Sequence, residues 1–574
     1  MQMDKSEIAD LLEEAAQNAN HWHAIGTFLQ KQDLKNTDHP LWIFVYAFEY
    51  MYVEKSNDDY RARYGPFAPL IETVSGAFPP PLTKISEESL STWAEVLNHS
   101  KHPAVRSRLA DLLWVRKWGQ RPDLLAKVAI EAYMQVPKGQ WDEIERALGL
   151  IRAFELSREV KNADRKNKVI ELIINEVKQE LSLTEGRPGI SLRFIEALMD
   201  LPPAEIPEDV HKLLELAREV YSSDVSTVES VLELMIKLAD PYRKNELRKE
   251  QINRWLEEAE RSRVEGQGLV YLAHLQHALE LARNFGFKET AEEILLKIQA
   301  IPEKELGLSA ITAEVRIPKE KVENFLNWFV DAKGWPESLT RFGFYGPPSG
   351  DYEQNLEEVK QRSPLKFLMT NLVLDESNAP ILIGRDYEEN VEIEVVRQET
   401  LGIRIFGNLA TDILQRIVNK HGMPEVENLS QFFTTELIPP EIAENIAQGV
   451  NWYFKGEYDV AAHLLVPRIE AVFRNIARIL GLAIIHEPVG ATPGGVMQLG
   501  KLLAQLKGRM DESWRRYFYN LLVNPISVNL RNRICHGLLQ KTTKEDSALL
   551  IHLACHLTLL QTEKKESKGQ PDHV

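Results

Sequence analysis

Asn524-Pro525-Ile526-Ser527-Val528-Asn529-Leu530-Arg531-Asn532-Arg533-Ile534-Cys535-His536-Gly537-Leu538-Leu539 is the stretch on which the reading of the C-terminal part of this chain turns. Asn524-Pro525 is a good helix start, because proline pre-sets the helical φ where its missing N–H costs nothing. Ile526, Leu530, Ile534 and Leu538 recur every four residues, which predicts a helix over 525–539 with one buried stripe. On such a helix Asn532 and His536 lie one turn apart on one face. Arg531 sits about 100° around and reaches the same spot through its long side chain. One helix thus presents a fixed cation, an amide and an imidazole together. Imidazole titrates near neutrality and can move a proton to or from a ribose hydroxyl. A guanidinium can hold a phosphoryl oxygen as negative charge builds on it. The combination suits phosphodiester chemistry and requires no metal and no cofactor.

The surroundings are helical on both sides. Residues 440–454, 458–480, 496–506, 511–522 and 544–560 carry helical patterning, the last opening with a capping box at Thr542-x-x-Glu545. Over 451–562 there are 13 Lys+Arg and 8 Asp+Glu, a net of +5, whereas residues 1–450 carry −22 and the whole chain −17. A strongly acidic chain does not coat nucleic acid over its whole surface, so a basic island is where an anionic ligand is expected.

Arg-Asn-x-x-x-His-Gly near the end of a helical domain resembles the HEPN superfamily, whose ribonuclease members carry Arg, a polar residue and then His. The fuller Leu530-Arg531-Asn532-x-x-x-His536-Gly537 is similar to an uncharacterised branch that includes a eukaryotic protein named for ER-membrane-associated RNA degradation. A second patch, His463-Leu464-Leu465-Val466-Pro467-Arg468-Ile469-Glu470-x-x-x-Arg474, resembles the long earlier helix of that branch. The resemblance covers roughly residues 440–562 and does not extend to 1–300. It implies a compact bundle, usually dimeric, with two Arg/His motifs facing each other, acting on RNA as a metal-independent endoribonuclease. Carried onto this chain, Arg531 would stabilise the phosphoryl charge, His536 would be the acid/base and Asn532 would orient one or the other. Glu470, by its residue type, would hold Arg531 or a neighbouring Arg, with Arg474 and Arg533 as supporting cations. The other Arg-x4-His, Arg416 to His421, has an apolar Ile417 after the Arg and lies in the acidic part of the chain. It reads as coincidence, so a composite site needs a homodimer. Some HEPN domains only bind or dimerise, so a non-catalytic RNA-binding or dimerisation module on a helical scaffold is the alternative.

Upstream, residues 1–300 read as an acidic, irregular helical array of short-linked hairpins, with apolar residues at three- and four-residue spacing in 104–115, 141–154, 169–181, 228–238 and 269–282. The stretch 271–298, with Gly286 between two helices, resembles a tetratricopeptide-type hairpin, but no fixed period repeats along the array. Such an array would recognise a protein partner or restrain the nuclease. From 301 to 439 the texture suggests a small α+β module, with strands at 313–317, 381–383 and 391–397 and helices at 318–332 and 403–420. Residues 563–574 read as a frayed tail. The expected fold class is mainly α in three parts.

Other constellations carry less. Cys535-His536 and His552-x-x-Cys555-His556 make a zinc site conceivable, yet no Cys-x2-Cys pair exists and the last helix is apolar enough to bury Cys555. Arg515 and Arg516 beside Trp514, Tyr517 and Tyr519 could stack a base, although aromatics at that spacing are more often core. Gly490-Ala491-Thr492-Pro493-Gly494-Gly495 lacks the Lys-Ser/Thr of a phosphate loop. His99-x-x-His102 and His274-x-x-His277 lack a third ligand and read as structural. Only two cysteines occur, which excludes a disulfide scaffold. No apolar run reaches the ~20 residues that cross a bilayer. A cytoplasmic protein with no membrane association is expected.

Overall fold

The computed structural model describes residues 4–32, 39–54, 58–73, 76–183, 186–307, 318–362, 364–369, 371–374, 380–488 and 494–561. Among them are 26 α-helices and eight short strands, the latter paired as four two-stranded antiparallel hairpins. The protein is mainly α. No helix among the described residues is long and apolar enough to cross a membrane. The chain divides into two compact units, Met1–Leu296 and Lys297–Val574.

In the first unit the residues that break one helix start the next. Pro103, Pro122, Pro188 and Pro241 each occupy a first helical turn, and Asp4, Asp142 and Asp240 cap with their side-chain oxygens. Antiparallel helix pairs then bury one stripe each, in a core running from Ile8 to Leu247. At its centre Arg152, almost wholly buried, donates twice to Asp111 and once each to Glu155 and Glu159, all at 2.9 Å. The expected helices are present as Gly268–Asn284 and Lys288–Gln299, and Gly286 takes φ +80° between them.

The second unit departs from the expected division at 439. One core joins Leu326, Phe329 and Phe342 to Ile403, Phe406 and Ile413 and on to Leu549–Leu557. Residues from Leu326 to Ile438 therefore share a core with the C-terminal helices. Within them 380–384 forms a strand paired with Asn371–Leu374, as expected, whereas 391–397 is not a strand. It belongs to a 35-residue helix, Tyr387–His421, capped by Asp386 with Glu388 and Glu389 in its first turn. Its period was masked because two neighbours cover two of its faces: Val391 and Val395 pack on Val359 and Phe367, while Ile393 lies against Gly384 of the hairpin. Helix 319–330 is present, and the expected strand at 313–317 lies outside the described residues, as do 489–493 and 562–574.

The final helix, Lys544–Leu557, is central to this core. Its capping box uses Thr543 and Asp546 in place of the expected Thr542 and Glu545, because the Thr542 N–H and hydroxyl are both held by Asp459 at 3.0 Å. Helix Trp335–Phe344 crosses it at Gly343, where a Cβ would come within 2.6–2.8 Å of the backbone of Cys555 and His556.

Candidate functional site

The motif helix is much shorter than its apolar stripe suggested. It spans only Leu530–Cys535. Upstream, the Asn524 carboxamide accepts from the Ile526 N–H at 3.2 Å, holding 524–526 in a side-chain-closed turn, and Asn529 takes the left-handed conformation, φ +55°. Downstream, Gly537 at φ +67° ends the helix: its N–H donates to the Ile534 carbonyl at 3.2 Å and that of Leu538 to the Arg533 carbonyl at 2.8 Å. This is a Schellman closure, and it needs the glycine. Of the stripe, Leu530 and Ile534 are buried, Ile526 is half-buried and Leu538 is exposed.

That closure decides where His536 sits. It is the residue at which the helix stops, its N–H bonded to the Asn532 carbonyl at 2.9 Å, and its side chain is exposed. Among the described residues no group bonds its imidazole, so both ring nitrogens are open to solvent. Arg531 is held from two sides. Its Nε donates to Glu470 Oε2 at 2.9 Å and one Nη1 hydrogen to Asn532 Oδ1 at 3.1 Å, while Nη2 makes no bond to the described residues. Asn532 is fixed in turn by donating to the Val523 carbonyl at 3.2 Å and to Asn529 Oδ1 at 2.9 Å. Glu470 spends its other oxygen on Arg474 Nη2, at 2.8 Å. One half-buried carboxylate of the long helix Tyr458–Ile479 thus bridges Arg474 of its own helix and Arg531 of the motif helix, leaving a net positive trio. Arg533 is half-buried on the same short helix, and its carbonyl closes the C-terminal turn.

A second layer, which the sequence reading missed, anchors the loop ahead of the motif. Glu399, fully buried on the 35-residue helix, accepts from Arg516 Nε and Nη2 at 2.6 and 2.8 Å and from Asn520 Nδ2 at 2.6 Å. Asn520 Oδ1 accepts from Asn524 at 2.7 Å, and the Asn520 carbonyl takes the Asn529 N–H at 3.2 Å. A continuous chain of bonds therefore runs from a buried ion pair to both ends of the 524–529 loop. The only sequence signal for it is Asn520-x-x-x-Asn524 at helical spacing; nothing near residue 399 pointed there.

The weaker constellations are taken up by packing and pairing. Arg516 is an internal ion-pair partner, Arg515 is tied to Glu512 at 2.7 Å, Tyr517 is fully buried, and Trp514 stacks on His556 with ring centres 3.3 Å apart. These residues build core and offer no platform for a base. His552 and His556 are buried and held neutral: burial pulls them down to about 3 and about 4, and Gly343 accepts from His556 Nδ1 at 2.9 Å. Cys555 is buried with them while Cys535 is exposed. No cluster of metal-binding side chains forms among the described residues. Arg416 is bound to Glu323 and Asn327. His102 caps the helix it precedes, and His277 pairs with Glu229 at 3.0 Å. Of the basic island, Arg515 and Arg516 have carboxylate partners of their own, while Arg474 and Arg531 share Glu470.

A family model described as a domain of unknown function (DUF7380) matches residues 59–169, in the first unit. No curated protein matches the chain. No solved structure matches it either.

Proposed function

We propose that the second unit is a HEPN-type, metal-independent endoribonuclease whose site is built on Arg531, Asn532 and His536. The observation that carries this reading is the contrast at the motif helix. The imidazole of His536 projects unbonded from a glycine-closed helix end, and Arg531 is oriented by Glu470 and Asn532 with Nη2 still available. A group held on one edge and open on another is arranged to receive a phosphoryl oxygen without reorganising. His536 removes the proton of a ribose 2′-hydroxyl, or returns one to the departing 5′-oxygen. The 2′-oxygen bonds to the adjacent phosphorus, the P–O5′ bond breaks, and the products are a 2′,3′-cyclic phosphate and a 5′-hydroxyl end. A second copy of the chain supplies the opposing Arg531 and His536.

The test is incubation of the purified protein, in EDTA, with a mixed single-stranded RNA and its 2′-deoxy counterpart, with His536→Ala and Arg531→Ala in parallel. Cleavage of RNA alone, lost in both variants while Cys555 stays buried, supports the reading. A non-catalytic RNA-binding or dimerisation module is the second reading. It is favoured by one fact: Arg531 already has a carboxylate partner, as a packing arginine would. RNA left intact by a protein that dimerises normally selects it.

A further inference from the structure

The first unit holds a cavity of about 250 Å³ that no part of the reading above uses. Its walls are aromatic, with Trp22, Phe48, Tyr50, Tyr52 and Tyr133 lining it. Gly149 also lines it, and a Cβ there would meet Trp22 Cη2 at 2.9 Å and Tyr133 Cδ1 at 3.1 Å, so the wall closes only around a glycine.

Two buried arginines border this space, and they differ. Arg152 is saturated by Asp111, Glu155 and Glu159. Arg108, only 4% exposed, makes no hydrogen bond or ion pair among the described residues, and its Nε and Nη1 are buried without a partner. Its guanidinium lies near two rings, 5.3 Å from the centre of Trp22 and 5.0 Å from that of Phe67. Aromatic contacts of this kind engage the face of a guanidinium and leave its in-plane N–H donors unused. The carboxylates in the cavity wall do not reach it. Glu49 is taken by His23 and by Gln30 at 3.2 Å, and Glu145 makes no ion pair with Arg108. Burial pushes the Glu145 carboxyl up, and Arg108 draws it back without bonding to it. An uncompensated buried cation lowers stability, and a chain that keeps one beside a cavity has a use for it.

We propose that this cavity is a binding site for a small planar organic monocarboxylate, with the carboxylate on Arg108 and the ring among the aromatic walls. A single unpaired guanidinium, in a wall that also carries Glu49 and Glu145, favours a monoanion over a phosphate dianion. The volume suits a one-ring ligand, since about 150 Å³ already admits benzene.

The test uses the full chain and 4-fluorobenzoate, followed by its ¹⁹F resonance, with 4-fluorobenzamide and inorganic phosphate as comparison probes. Saturable binding of the acid is expected, ~10-fold or more weaker for the amide, with no displacement by phosphate. Arg108→Met should abolish it and leave Tm unchanged or higher, because the substitution removes an unpaired charge. Glu145→Gln should retain it. The proposal is overturned if acid and amide bind alike, if Arg108→Met binds as well as the parent, if phosphate displaces the acid, or if nothing saturates by about 10 mM. It also fails if Arg108→Met and Glu145→Gln each lower Tm and the double variant is no worse than either, the signature of an internal ion pair.

Discussion

Lowering the pH from 7 to 5 is expected to remove about 4 kcal/mol from the stability of the second unit, through two histidines that take no part in the proposed chemistry. His552 is fully buried and His556 nearly so, and burial lowers them to about 3 and about 4; His556 lowers His552 further, while Asp511 works weakly the other way on His556. In the unfolded chain both return to about 6.5. Between those values the unfolded state binds protons that the folded state refuses, so stability falls as pH drops below 6.5 and goes on falling until the folded values are reached. At pH 5 the solution is about 1.5 pH units below each group's unfolded value, which is ~2 kcal/mol apiece. Against a typical 5–15 kcal/mol for a domain, roughly, this is a large fraction. Carboxylates lowered by their partners, such as Asp459 under the Thr542 N–H and Glu512 under Arg515, lose their contribution only further down, through the ordinary carboxylate range. Glu399, which burial raises, titrates above that range and acts in the opposite sense. In the window from 6.5 to 5 the buried histidines are therefore the groups that cost stability.

The chain carries its own reporter. Cys535 is exposed and Cys555 is fully buried in the same core as the two histidines, so in a Cys535→Ser background thiol labelling reads the opening of this unit alone. Urea midpoints followed by 4,4′-dithiodipyridine, which reacts in acid, should fall between pH 7 and 5. His556→Gln should be less stable at pH 7 yet lose about half of the pH slope. A midpoint that does not move, or a full slope retained in His556→Gln, refutes the reasoning. The outcome also bears on activity: loss of cleavage below pH 5.5 reports on chemistry only where Cys555 remains protected.

Gly537→Ala should cost about 1–2 kcal/mol from the positive φ and reduce RNA cleavage more than RNA binding, measured on the same RNA by product formation and by filter retention. Gly343→Ala should destabilise the second unit by about 1–3 kcal/mol or more, read as faster Cys555 labelling, because the new Cβ meets backbone that cannot turn aside. Glu399→Gln should cost about 3–5 kcal/mol by stranding Arg516, and adding Arg516→Met should recover part of it; equal losses in single and double variants would show that the pair does not act as a unit.

The helical class was legible because it rests on spacing. Pro103, Pro122 and Pro241 sit in first helical turns, where the missing N–H costs nothing. β-branched composition misled at Val391–Val396, where burial comes from two directions, and periodicity misled where apolar spacing continued past a conformational stop, at Leu538. At the motif the residue types suggested Glu470 as an arginine holder, and the fold puts its carboxylate on both Arg531 and Arg474. The true length of the helix was hidden because Asn529 and Gly537 act through backbone angles, which composition does not display. Glu399 was invisible for a different reason: it is 117 residues from its partner Arg516, and a single buried carboxylate has no local signature.

Glu470 is where the two readings of the site part. Its two oxygens are divided between Arg531 and Arg474, so Glu470→Gln leaves the shape nearly intact while removing the charge that both guanidiniums answer. If Arg531 works on a phosphoryl group, the carboxylate matters for aim, and aim is lost when the amide can accept only through one oxygen. Cleavage then falls, by roughly ten-fold for one weakened orienting contact, while RNA affinity holds or rises because positive charge has been released. If the trio merely ties two helices together, the same substitution raises RNA affinity and its salt dependence with no cleavage to lose, and its main effect is on Cys555 protection. The carboxylate thus separates orientation from attraction, which neither Arg531→Ala nor His536→Ala can do, since each removes the group and its placement together.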